Sequence, residues 1–380
     1  DVDSACQVEW YKIGDDGLTI DLVGHTLTLT TDDNISRSDK MKFQNTSDNP
    51  GEVVGTVNVC TDSDSGKLTL TIPDTHNNLT IDTLIFKKCG TASLAGGGFG
   101  SITISADSRA KTLADLLAPD YCYYTGGDYE ARTGGTATLG EGLSTLTNVY
   151  VAPCDHSGAA AIYHRIPNPV IPGEKYDAWT CPCGDVIFAA RSTDAQGTVM
   201  YYPAEKFAEA FDHAASGTTV DILPLESGFP TGGITIDKKL TIDVGEIGSY
   251  ADGVHFTLAN GAEVTLIGGP VVTQYNPAQF HPAITVQRGG RLTVPANHPA
   301  GRENRINFTR NSGASITVES GGTAEFSSGT AKGVSVSGAV TVGGDSASIS
   351  YMTVNDGGEL TVSTADLTGK TGSTDPLGIK

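Results

Sequence analysis

Four residues in the middle of this 380-residue chain are of types that bind metal: Cys154 and His156 in C-D-H, and Cys181 and Cys183 in C-P-C. Three thiols and an imidazole form a donor set that zinc takes tetrahedrally. The segment carrying them, Val151 to Tyr202, holds five prolines and few long apolar runs, so it has little means of burying a core of its own. A structural zinc is therefore expected at Cys154, His156, Cys181 and Cys183, closing the loop between them and tying its flanking domains together. Four protein ligands would leave no open position for a substrate or an activated water. C-x-C is a tighter bite than the usual C-x-x-C, so the competing expectation is four unlinked side chains. The other four cysteines are Cys6, Cys60, Cys89 and Cys122. An odd total of seven in a chain of this length does not read as a disulfide framework, and buried free thiols are expected.

The elements that must position these residues are strands. Alternating arms around a Gly-containing turn recur as ITVQRGGRLTV (284–294), ITVESGGTAEF (316–326), VSVSGAVTV (334–342) and MTVNDGGELTV (352–362). The outer residues of each arm are mostly apolar and the middle one is often Thr, which is a period-two strand with one buried face. The last three copies start at Ile316, Val334 and Met352, a constant step of 18. A short fixed period of strands predicts stacked parallel rungs. GLTIDLVGHTLTLTT (17–31), 67–72 and 79–86 alternate in the same way, and the pattern is under way as the sequence begins, so this first β domain is expected to start upstream of Asp1.

Two segments break the alternation. Leu113, Leu116 and Leu117 have the spacing of one amphipathic helical turn, suited to covering the end of a strand stack. PAEKFAEAFDHAASG predicts a helix from Pro203 to Gly217, with Phe207 and Phe211 on one face and Ala204, Ala208 and Ala215 on or near it. The resulting reading is all-β: two right-handed parallel β-helix domains, 1–125 and 203–380, joined by a Cys/His module at 126–202, with a capping helix near 203–215.

Composition narrows the function. With 24 basic and 44 acidic residues the formal charge is −20, which disfavours nucleic acid and anionic lipid as partners. No apolar run approaches a membrane span. The later arms carry Gly, Ser and Asn at their turns instead of clustered carboxylates, and no G-x-S-x-G pattern stands between a strand and a helix, so catalysis is not expected. The least repetitive insertion is YNPAQFH, with Tyr275, Phe280 and His281, followed by Arg288, Arg291 and His298. Aromatic, His and Arg side chains together are typical of binding hot spots, and these six are the candidate binding residues.

FAEAFDHAASG followed by TTVDILPL and ITIDKKLTIDVG resembles the opening of right-handed β-helix (pectin-lyase-like) domains in large modular surface proteins of gut Firmicutes. GLTIDLVGHTLTL is similar to the same strand pair in an earlier domain, and TLADLLAPDYCYY with the C-x-H and C-x-C pairs to their closing segment and linker. The resemblance covers most of the chain. It implies an extracellular, cell-surface, adhesin-like protein that binds a host glycoprotein or glycan, and it is close in style to the immunoglobulin-binding superantigen proteins of commensals. The same fold also carries polysaccharide lyases and glycoside hydrolases, and can serve as a plain spacer, so the fold alone does not choose among these.

Overall fold

The computed structural model describes residues 17–29, 34–36, 40–60, 69–87, 91–138, 145–156, 158–167, 175–223, 225, 232–244, 254–268, 283–299, 301, 304, 306–309 and 315–363. Among them are 28 strands and one α-helix, Phe207–His213, so the all-β class holds. The chain packs as two compact units, one of residues 1–156 with 181–185 and the other of 157–180 with 186–380.

In the first unit the chain alternates between two sheets. Leu18–Asp21, Lys40–Gln44, Thr69–Ile72 and Thr91–Leu94 form one, each parallel to the one before. Thr26–Thr28, Gly51–Cys60, Leu79–Phe86 and Gly98–Ile104 form the other, again all parallel. Registration stacks like on like: Leu27, Val53, Ile81 and Phe99 follow one another across four strands, and the last three are fully buried. Each inward row is a string of apolar contacts, so burial is shared between neighbouring strands. The Leu113 turn extends the first sheet, with Leu117 bridging Leu94 in parallel and Leu113 and Leu116 buried beneath. The second sheet then changes sense. Thr145–Pro153 runs antiparallel to both Gly98–Ile104 and Tyr121–Thr125, so this sheet continues past residue 125.

The second unit is built on the same parallel principle. Thr219–Ile222, Lys239–Asp243, Glu263–Ile267, Arg291–Val294, the long strands Thr323–Val336 and Ala339–Val354, and the short Glu359–Ser363 pair in succession. Gly232–Ile236, Val254–Leu258, Ala283–Val286 and Ile316–Val318 form a second succession, which joins the distal parts of the same long strands. The expected 18-residue step is realised as register, with Ile316 opposite Val334 and Val334 opposite Met352. Outward positions line up too: Thr219, Thr241, Thr265, Thr293, Glu325, Thr341 and Thr361 form one continuous polar row.

Paired glycines make the turns possible. The first of each pair, Gly289, Gly321 or Gly357, has φ near +78° (77°, 79° and 77°), which L side chains rarely adopt. The second lies against the neighbouring turn, and a Cβ on Gly322 would stand 2.6 Å from the Val286 carbonyl oxygen. Gly322→Ala should therefore destabilise the second unit by about 1–3 kcal/mol through overpacking. Gly261→Asn should cost under about 1 kcal/mol, because that position has positive φ and open space around it. Urea titrations of the two variants test the contrast.

The helix is shorter than its sequence pattern. A 3-10 turn, Ala204–Lys206, leads into Phe207–His213, and the Lys238 ammonium then takes the Asp212 and Ala214 carbonyls at 2.7 and 2.8 Å. A cation on these last carbonyls satisfies the helix terminus before Gly217 is reached. Phe207, Ala210, Phe211 and Ala214 form the buried stripe, whereas Ala208 is exposed. Of the expected alanines, Ala204 packs against the core and Ala215 is half-buried, while Ala208 turns to solvent; both phenylalanines face the core as expected. Phe211 meets Phe207 at 5.4 Å and Phe256 at 5.3 Å between ring centroids.

Candidate metal centre

The four metal-type residues converge within the first unit. Cys154 directly follows strand Thr145–Pro153, and its N–H donates to the Asp120 carbonyl at 2.7 Å, which extends the antiparallel pairing by one more step. His156 is two residues on. Cys181 and Cys183 come from a β-turn, Cys181 to Gly184, closed by the Gly184 N–H on the Cys181 carbonyl at 2.9 Å. Pro182 supplies the fixed φ of the second turn position, and Gly184 takes φ +87° at its end.

One ligand atom from each residue lies within 4.8 Å of every other. The Cys181 and Cys183 sulfurs are 3.2 Å apart, and His156 Nδ1 stands 3.4 Å from Cys181 Sγ and 3.8 Å from Cys183 Sγ. A tetrahedron with metal–sulfur bonds of about 2.3 Å has edges of about 3.8 Å; His156 Nδ1 to Cys183 Sγ matches this, and the Cys181 contacts are a few tenths of an ångström shorter. Cys122, Cys154, Cys181 and Cys183 are free thiols. The group could hold a metal ion, and the C-x-C bite does not prevent convergence because the turn folds both sulfurs to the same side.

The surroundings favour a cation. Burial, with the neighbouring thiols adding to it, pushes the Cys154 thiol far above its usual range, and burial does the same for Cys183, up to about 12. The Cys181 sulfur beside it, and the carboxylates of Asp120 and Asp185, push His156 up against the opposing effect of burial. Sulfur ligands crowded this closely are held by protons or by a metal, and not as bare thiolates. His156 Nε2 faces the Asp120 carboxylate at 3.8 Å, which sets the ring with Nδ1 toward the sulfurs, the orientation a carboxylate commonly imposes on a metal-bound imidazole. Asp185 accepts from Cys183 at 3.4 Å. Cys122, fully buried in strand Tyr121–Thr125, shares a thiol hydrogen bond with Cys154 and is a fourth thiol beside the three of the group. Sequence spacing does not expose it, because only the antiparallel pairing of Tyr121–Thr125 with Thr145–Pro153 brings 122 close to 154.

The candidate binding residues fall in separate settings. Tyr275, Phe280 and His281 lie outside the described residues. Arg288 is exposed in a glycine turn, and Arg291 pairs with Glu325 at 3.2 Å. His298 is buried, with Nε2 3.0 Å from Asp243, so this imidazole is part of the packing instead of a surface hot spot.

That contact leads to a row that the sequence pattern did not reveal. Asp221 and Asp243 are opposite one another on adjacent parallel strands, and Arg191, opposite Asp221 on its other side, binds it through Nε and Nη2 at 2.8 Å each. Burial pushes the Asp221 carboxyl above the usual carboxylate range; Arg191 opposes this and Asp243 adds to it.

No protein-family model matches this chain, and no curated protein or solved structure does either. Among the described residues no helix is long and apolar enough to cross a membrane.

Proposed function

We propose that this chain is a non-catalytic binding protein of the bacterial cell surface that recognises a host glycoprotein or glycan, immunoglobulin included among the candidates. Its two strand stacks are right-handed parallel β-helices, and Cys154, His156, Cys181 and Cys183 hold a structural zinc. Zinc would supply a cross-link and no chemistry, because four protein donors complete its coordination. The observation that carries the binding reading is the register of the second unit. It stacks outward threonines and charged residues into long, straight polar rows on a stiff scaffold. A preorganised polar face of that kind loses little entropy on binding an extended ligand. Capture of mucin or serum immunoglobulin by the immobilised full chain, with micromolar or tighter affinity, is the expected result; capture of neither would remove the reading.

A second reading, cleavage of a polysaccharide, is favoured by Asp221 and Asp243. Register on adjacent strands makes the two carboxylates neighbours, as glycosidase pairs are, and burial with Asp243 raises the Asp221 carboxyl against the opposing pull of Arg191. Release of reducing ends from pectin or mucin by the wild type, abolished in Asp221→Asn, would establish it. No release by the wild type is the outcome expected here.

A further inference from the structure

We propose that the second unit binds neutral glycans on an aromatic shelf formed by Tyr163, Trp179 and Tyr201 beside the Arg191–Asp221 ion pair. This deepens the binding reading above and rests on it. Tyr163 and Trp179 are directly opposite one another in the hairpin of Ile162–Pro167 and Lys175–Thr180, with ring centroids 5.3 Å apart. Trp179 meets Tyr201 at 5.0 Å, and Tyr201 meets Phe188 at 5.7 Å. The Arg191 guanidinium carbon lies 5.8 Å from the Trp179 ring centre and 5.9 Å from that of Tyr201.

The shelf is graded from core to solvent. Phe188 is fully buried, Trp179 and Tyr201 are half-buried, and Tyr163 is 54% exposed. Aromatic rings that serve packing alone would be covered at both ends; here the outermost ring, a tyrosine, presents itself to water. Beside these rings stands a fixed set of polar groups. Arg191 has five donors in a rigid fork, two of which hold Asp221, and Asp221 is followed in register by Asp243.

A sugar ring matches this arrangement. Its C–H face needs one aromatic ring to lie on, and the rings here are tilted by 53° and 35° to their neighbours, so each is a separate plate; the hydroxyls around the sugar's rim need donors and acceptors at the plate's edge. The charge of the site selects among sugars. Arg191 is already balanced by Asp221, Asp243 is held by His298, and the chain as a whole carries −20. A uronate or sialate would meet a negative field, whereas a neutral hexose or N-acetylhexosamine would not.

The test is titration calorimetry of the full chain against lacto-N-tetraose, mannotetraose and tetragalacturonate, with mucin capture measured in parallel. Binding of a neutral tetrasaccharide, and weaker or no binding of tetragalacturonate, is expected. Tyr163→Ala should weaken that binding by about 10-fold or more, while Tyr163→Phe keeps it. Because Tyr163 is exposed, the melting temperature of both variants should match the wild type, which separates recognition from folding. Failure to bind either neutral tetrasaccharide, preference for tetragalacturonate, equal binding by Tyr163→Ala, or displacement by a proline-rich peptide instead of a sugar would overturn the shelf. If the wild type and both variants capture mucin alike, the shelf falls while the broader binding reading stands. If a neutral tetrasaccharide binds through Tyr163 but mucin does not, the shelf stands and the host-glycoprotein reading falls.

Discussion

Cys181→Ser should lose bound zinc, with affinity reduced by more than about 100-fold, the upper end of what changes in the outer shell of a metal site cost. Cys181 is buried and central: its sulfur lies 3.2 Å from Cys183 Sγ and 3.4 Å from His156 Nδ1. Asp120→Asn should cost less, about 10-fold, because Asp120 orients His156 without donating to the ion. Competition against a chelator of known affinity measures both. The pH dependence has opposite signs with and without metal. Metal binding requires thiolates, so each thiol that releases a proton adds about one decade of affinity per pH unit, and affinity falls as pH drops. In the metal-free protein the raised thiols of Cys154 and Cys183 work the other way. Their contribution to stability is complete below the unfolded value, about 8.5, and is lost as pH rises toward the folded value, about 12 for Cys183. Metal-free protein should thus melt earlier with rising pH above about 8.5, and zinc should reverse the trend. Parallel trends with and without zinc would show that the thiols do not share a metal.

Phe207→Ala should destabilise the second unit by about 3–5 kcal/mol, the cost of emptying a buried phenyl site. Phe207 and Phe211 are both 1% exposed, and Phe211 carries the contact on to Phe256 in strand Val254–Leu258. A cavity there cannot collapse easily, because the helix also packs against Phe188–Thr193, Val199–Pro203 and Gly232–Ile236. Glu209→Ala on the exposed face is the control and should stay within about 0.5 kcal/mol. Urea denaturation followed by near-ultraviolet circular dichroism distinguishes them; equal midpoints for the two variants would mean that the helix does not close the core.

The strand arms were legible because period two is a local property: the sequence of Arg291–Val294 or Ile316–Val318 states which side chains point inward. The 18-residue step was legible for the same reason, since stacking Ile316 on Val334 on Met352 needs no information beyond the repeat. The candidate metal ligands were legible by type, because Cys and His are few. Their partners were not. Cys122 reaches Cys154 only through an antiparallel return after a parallel run, and no repeat announces that reversal. Asp221 and Asp243 look like two unrelated acidic residues until register sets them side by side. His298 read as a surface group because it sits in an irregular stretch, yet Asp243 provides a buried partner 55 residues away. The helix was overextended because its alanines continue the pattern past Ala214, where the Lys238 ammonium ends it.

X-ray absorption at the zinc edge of the purified full chain tests the account most directly. Three sulfurs at about 2.3 Å and one nitrogen at about 2.0–2.1 Å, with one zinc per chain, are expected for a closed structural centre at Cys154, His156, Cys181 and Cys183. Zinc-free protein, or a shell containing a water oxygen in place of one of these donors, would contradict it.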